Sequence, residues 1–130
     1  MIDREIEMLE QINTKIGHAS LVSSKYNSYD AVSDNYIIEF KFREKHYPTK
    51  MIEASKLYIN YQQAQLKNRQ FLYVVKDPKG MFVFNISKLI HKEINYLPVP
   101  MSCPKNTEFR KSSKIIKWTY MLPDSMAVQI

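Results

Sequence analysis

From Tyr36 to Arg43 the chain runs Tyr-Ile-Ile-Glu-Phe-Lys-Phe-Arg, a stretch rich enough in aromatic and β-branched residues for a strand, yet carrying an acid and a base two positions apart. Side chains of an extended strand alternate, so Ile37, Glu39, Lys41 and Arg43 share one face while Tyr36, Ile38, Phe40 and Phe42 share the other. The second face suits a core and the first suits chemistry. Nine residues before Glu39 stands Asp30, and Ser33-Asp34-Asn35 between them is turn-prone. Asp30 is therefore expected on a first strand, hairpin-paired to this one, with its carboxylate beside Glu39 and Lys41.

Around that run the chain alternates between the two periodicities. Residues 2–16 read as a helix with Ile2, Ile6, Leu9, Ile12 and Ile16 on one stripe and Gly17 as its stop. Glu5 falls inside the stripe, Glu10 on its flank and Glu7 nearly opposite. Leu21 to Asn27 is an ambiguous lead into the first strand, and Lys25 and Tyr26 fit edge decoration. After the polar break at Glu44 to Pro48, Thr49 is expected to cap a helix from Lys50 to Lys67, with Met51, Ala54, Leu57, Tyr58, Tyr61 and Ala64 or Leu66 on its apolar side. Phe71 to Val75 suits a sheet interior, and Asp77-Pro78-Lys79-Gly80 turns it back into Met81 to Ile86. A short helix is expected from Ser87 to Lys92, then an extended connection punctuated by Pro98, Pro100 and Pro104. Ile115 to Leu122 reads as a last strand on an edge. This order predicts one α/β or α+β domain over residues 1–130, with a central mixed β-sheet flanked by helices.

Charge narrows the partners. Nineteen basic residues against 13 acidic ones leave a formal net charge of +6, which favours polyanions such as nucleic acid. The excess is greatest after residue 104, where Lys105, Arg110, Lys111, Lys114 and Lys117 face only Glu108 and Asp124. The lone Cys103 forms no internal disulfide and fits a reducing compartment. Neither a signal-peptide pattern nor a membrane-length apolar run is present, so a soluble, intracellular, cytoplasmic chain is expected.

Two carboxylates at Asp30 and Glu39, a main-chain carbonyl after Glu39, and water form an oxygen-rich shell of the type magnesium prefers. An ion there would polarise a phosphate and lower the pKa of a bound water. Lys41 could act as general base, or orient the water and offset phosphate charge. The bland alternative is a solvated Glu39–Lys41 pair with Asp30 and Asp34 merely forming turns. Arg43 on the same face could clamp a phosphate. Glu53 and Lys56, three apart, fit a surface pair, with Lys56 also able to reach the metal shell or a phosphate. His18, His46 and His91 are scattered and make no zinc pattern. Tyr26, Tyr29 and Trp118 fit rim or core aromatics, or platforms for exposed bases.

A helix glutamate, Tyr29-Asp30, Ile37-Ile38-Glu39-Phe40-Lys41, then a helix and hairpin strands together resemble the PD-(D/E)XK nuclease superfamily, in particular its small phage-type and Holliday-junction-resolving members. The resemblance covers roughly residues 1–90, with Tyr29 where the family name has proline. It implies a restriction-endonuclease-like core and a magnesium-dependent phosphodiesterase acting on DNA, with manganese able to substitute. Asp30 and Glu39 would be metal carboxylates and Lys41 the catalytic lysine. Several junction resolvases add a glutamate from the first helix, matched best here by Glu5, with Glu10 the rival. Gln62, Gln63 and Gln65 lack a tyrosine four residues on, so one exonuclease branch is not expected. The phage-type likeness implies a viral or mobile-element setting within a host cell.

Three classes follow from these readings. The leading one is a metal-dependent DNA endonuclease, selective for branched or Holliday-junction DNA and acting as a homodimer. The alternative is a non-catalytic nucleic-acid-binding or assembly protein of nuclease-like fold, and the third is an uncharged-ligand or purely structural role with the site residues forming surface pairs. Convergence of Asp30, Glu39 and Lys41 would favour the first; their dispersal would favour the others.

Overall fold

The computed structural model describes residues 2–22, 27–104 and 114–130. Lys25, Tyr26, Lys105, Glu108, Arg110 and Lys111, singled out above, lie outside these residues. Helix α1 (Ile2–Ile16) stops at Gly17, whose φ of +95° is the left-handed conformation that a glycine adopts without a side-chain clash. Asn13 secures the exit, its side chain accepting from Ala19 N–H at 2.8 Å and donating to Ala19 C=O at 3.0 Å. The chain then forms an antiparallel meander of β1 (Ser20–Leu21), β2 (Ala31–Val32) and β3 (Tyr36–Phe42). Strand β4 (Thr49–Glu53) runs directly into α2 (Ala54–Leu66). The hairpin β5 (Gln70–Asp77) and β6 (Gly80–Asn85) follows, then α3 (Ile86–Leu89), β7 (Val99–Pro104), β8 (Lys114–Pro123), a 3-10 turn at Asp124–Met126 and β9 (Val128–Gln129).

Two sheets result. The larger has strand order β1-β2-β3-β5-β6-β9, parallel only at β3–β5 among its pairs, so it is mixed; the smaller has order β4-β8-β7. Period-two alternation sorts the large sheet's side chains into two cores. On one face Ile38, Phe40, Leu72, Val74 and Met81 pack with Met8 and Ile12 of α1. On the other, Ile37, Phe71, Tyr73, Val75 and Phe84 pack with Leu57 and Ala64 of α2, and with Ile52, Tyr120 and Leu122 of the small sheet. The fold is α/β, a mixed central sheet with helices on both faces.

Several local expectations are corrected. Thr49 does not cap a helix: Thr49–Glu53 is a strand whose Lys50 and Ile52 point inward, and α2 begins only at Ala54. Lys50 is buried because its ammonium meets Asp77 at 3.1 Å and Asp124 at 2.8 Å, a partnership invisible at local range. Tyr58 and Leu66 face solvent instead of core, as does Ile6 of α1, because α2 buries Ala54, Leu57, Asn60 and Ala64 while α1 buries Met8 and Ile12. The strand expected to be last and on an edge, β8, is central in its sheet, and β9 follows it onto the edge of the large sheet beside β6. The proline-rich connection supplies an edge of the small sheet as β7, where a residue without N–H is tolerated. Finally, both faces of β3 are covered: Ile37 and Ile38 are fully buried, and so the chemical face is an end of the strand, not a whole side.

Candidate active site

Strand β2 begins opposite Ile38, so β3 runs on beyond its start. Asp30 occupies that boundary. Its N–H donates to Ile38 C=O at 2.8 Å although Ala31 is the register partner of Ile38. Two residues thus oppose one, in the manner of a β-bulge, which re-aims a side chain. The Asp30 carboxylate accepts the Phe40 N–H at 2.8 Å, taking the place of a strand partner. An extended residue presents N–H and C=O to the same side, so the Phe40 carbonyl also faces this edge. Tyr29 anchors the turn in the core beside α2, and Ser28 Oγ lies 2.6 Å from Asn60 Oδ1 of that helix.

Next to Phe40, Glu39 is 7% exposed. Burial, then the charge of Asp30, pushes its pKa up to about 7 against the nearby Lys56 and Lys41 ammoniums. Burial likewise raises Asp30, opposed by the Phe40 N–H and the same two lysines. Two largely desolvated carboxylates so placed are short of positive charge. Lys41 lies with Glu39, Arg43, Met51, Ile52, Glu53, Lys56 and Tyr73 around one small polar recess. Its pKa is lowered by burial, then by Arg43 and Lys56. The structure therefore brings Asp30, Glu39 and Lys41 together, with Arg43 beside them.

Glu5 approaches from α1, in a cleft shared with Arg4, Met8, Phe40, Lys41 and Arg43. Burial, then the charge of Asp30, raises its pKa, whereas Glu10 faces solvent. Among the described residues no three His, Cys, Asp or Glu side chains gather closely enough to hold a metal. Glu5 thus borders the Asp30–Glu39 pair without closing a three-carboxylate cluster. The donor set still fits a hard divalent ion: two carboxylates and a carbonyl, with positions left for water.

Glu53 and Lys56 do not make the surface pair expected of them. Lys56 Nζ lies 3.6 Å from Glu39 Oε1, and Glu53 takes Lys117 of β8 at 2.9 Å. Lys117 and Tyr73, whose hydroxyl donates to Met51 C=O at 2.7 Å, give no local signal, since each reaches the site from a distant strand. His46 meets Asp77 at 2.7 Å in the Lys50 network, away from the site. Tyr29 is a core residue.

No protein-family model matches the chain, and no curated protein sequence matches it. Among solved structures it is similar to Hjc, a Holliday junction resolvase from the archaeal hyperthermophile Archaeoglobus fulgidus, with a TM-score of 0.56 over 96% of this chain and 90% of that one. The chain shares that resolvase's fold. At 12% identity the likeness lies in the path of the backbone. In that resolvase fold Asp30, Glu39 and Lys41 stand together where β2 gives out beside β3.

Proposed function

We propose that this chain is a divalent-metal-dependent DNA endonuclease, hydrolysing phosphodiester bonds with a preference for branched DNA such as a four-way junction. The observation that carries the reading is the pairing of half-buried Asp30 with buried Glu39 beside Lys41, in a chain of net charge +6 with a resolvase fold. Magnesium, or manganese in its place, would be held by Asp30, Glu39 and the Phe40 carbonyl, with Glu5 reaching it through water. Such an ion, when bound, polarises a phosphate and lowers the pKa of a bound water.

The remaining work falls to the chain. Asp30 and Glu39 bring two carboxyls to one point, where burial outweighs the opposing Phe40 N–H at Asp30 and the Lys56 and Lys41 ammoniums at both, so their charged forms would be favoured by a cation bound between them. Lys41, with its lowered pKa, is placed to take a proton from a water or to face charge on a phosphate oxygen. Arg43 and Lys56 line the recess where a phosphate backbone would pass. A four-way junction offers two strands to cut, so the acting species is proposed to be a homodimer.

The test is incubation with labelled four-way junction, flap, single-stranded and linear duplex DNA, in magnesium, manganese or chelator. Metal-dependent cutting, fastest on the branched substrates, is the expected result. Tight binding without cutting on every substrate would instead support a non-catalytic binding protein.

A further inference from the structure

We infer that a pocket adjoining the active-site recess takes an unpaired nucleobase of the DNA strand held there. This rests on the reading of the chain as a DNA-acting protein. Register partners share a face of a sheet, so Met51 of β4, its partner Met121 of β8, and Met101 of β7, the partner of Lys117, lie on one side of the small sheet. Glu53, paired with Thr119, lies on that side too and forms part of the recess wall. The three methionines, with Arg43, Lys45 and Tyr47 from the turn after β3, line a pocket of about 320 Å³. Arg43 and Met51 line the recess as well, so the two cavities adjoin. Trp118 takes the opposite face of β8 and has no part in it.

Bonds made outside the pocket hold its walls. The Arg43 N–H donates to Lys76 C=O at 2.8 Å, and Met51 C=O accepts from the Tyr73 hydroxyl at 2.7 Å. Between Lys45 and Tyr47, His46 meets Asp77 at 2.7 Å, and Pro48 C=O accepts the Asp124 N–H at 2.9 Å. The turn is thus fastened on its inner side while Lys45 and Tyr47 stay exposed, Tyr47 by 57%. The volume falls in the range of about 300–1,000 Å³ that small ligands fill.

Chemistry chooses the occupant. Thioether side chains are polarisable and gain attraction from aromatic rings. The rim is cationic. No carboxylate lines the pocket, no ion pair takes Arg43 or Lys45 among the described residues, and the neighbouring Glu44 opens instead on the cleft of Glu5. Lys50, also in the lining, is already held by Asp77 and Asp124. An aromatic ring joined to phosphate satisfies both halves, and the recess alongside is where the phosphate of a DNA strand would lie. An apolar side chain of a second copy would fill the methionine half and leave the two cations without a partner. Bases of a matched duplex are paired and stacked, and drawing one out costs free energy. Branch points, flaps and single strands offer bases already free. Methionine adapts its shape to whichever base enters, so the pocket selects structure without sequence.

The intact protein, in chelator to prevent turnover, is titrated with end-labelled flap DNA and with the same DNA carrying one abasic site, moved in turn through the nucleotides flanking the branch point. Binding is read by anisotropy. An abasic site at one position is expected to weaken binding by about fivefold or more, and elsewhere to change it little. Met101→Ala, at a half-exposed position on an edge strand, and Tyr47→Ala, in an exposed turn, are each checked for folding by circular dichroism, and one folded variant suffices. Either should bind the intact flap more weakly by a similar factor yet bind the abasic flap as the native protein does, whereas a merely structural defect would weaken both. DNA bound with no position sensitive, or with the sensitivity undiminished in a folded variant, would overturn the inference while leaving the nuclease reading intact. Self-association without DNA that Met101→Ala abolishes, with no abasic position mattering, would overturn it in favour of a second copy. No DNA bound, and none cut in magnesium, would overturn both.

Discussion

At residue scale Glu39 concentrates the physics of this molecule. Its pKa is raised by burial and by Asp30 to about 7, from 4.5. A carboxyl whose folded pKa lies above its unfolded one stabilises the fold while protonated. Glu39 therefore contributes stability below the unfolded pKa and loses it as pH rises through the folded one. Without divalent metal, Glu39→Gln should accordingly raise the thermal midpoint at about pH 8 and change it little at about pH 4, by on the order of 3 kcal/mol at full effect. Thermal unfolding in chelator at the two pH values measures this. An equal shift at both would mean that the carboxyl's charge is not what destabilises. Asp30, Glu39 and Lys41 are legible in the sequence because a strand's period of two and a turn-prone triplet are local signals. The pairing of Lys56 with Glu39 is less so, since it depends on where α2 starts, and Lys117 beside Glu53 not at all, since 64 residues separate them.

Among the elements, β4 departs most from what its residues suggest. Thr-Lys-Met-Ile-Glu followed by a helical pattern reads as a capped helix, because a lysine at an inward position argues locally against a half-buried strand. Lys50 is nevertheless 4% exposed. Its ammonium is held by Asp77 and Asp124, backed by the Phe82 ring 4.2 Å away. Burial opposes the charge of Asp77, yet hydrogen bonds from His46, the Lys79 N–H and Lys50 outweigh it and hold its pKa below the ordinary carboxylate value. This ties the ends of β4, β5 and β8 at one point. Removing Asp77 leaves a buried ammonium with one carboxylate fewer, so Asp77→Ala should destabilise by roughly 3 kcal/mol or more, read from the urea midpoint. Since the pKa of Asp77 is depressed, its contribution is present above the unfolded pKa and lost as pH falls through the folded one. A change below about half a kcal/mol would show the network to be no more than surface pairing.

On the scale of the whole molecule, the large sheet supplies rigidity and the breaks in it supply the site. Where β2 gives out beside β3, a carboxylate replaces a strand partner, a carbonyl is left at the edge, and α1 and α2 bring Glu5 and Lys56 from opposite faces. The small sheet adds Lys117, which holds Glu53 on the wall of the recess. The layered α/β plan is legible from the order of elements. The second sheet is not, because β4–β8 pairing joins segments some seventy residues apart and prolines mask the edge strand β7. The central claim is that Asp30, Glu39 and Lys41 are hydrolytic machinery. Its most direct test is the rate of cutting of a labelled four-way junction in magnesium by the native protein, by Glu39→Gln and by Lys41→Ala, each checked for folding by circular dichroism. Cutting is expected to stop in chelator and to fall by about a hundredfold or more in both variants. Cutting that persists in chelator, or is undiminished in either folded variant, would contradict the claim.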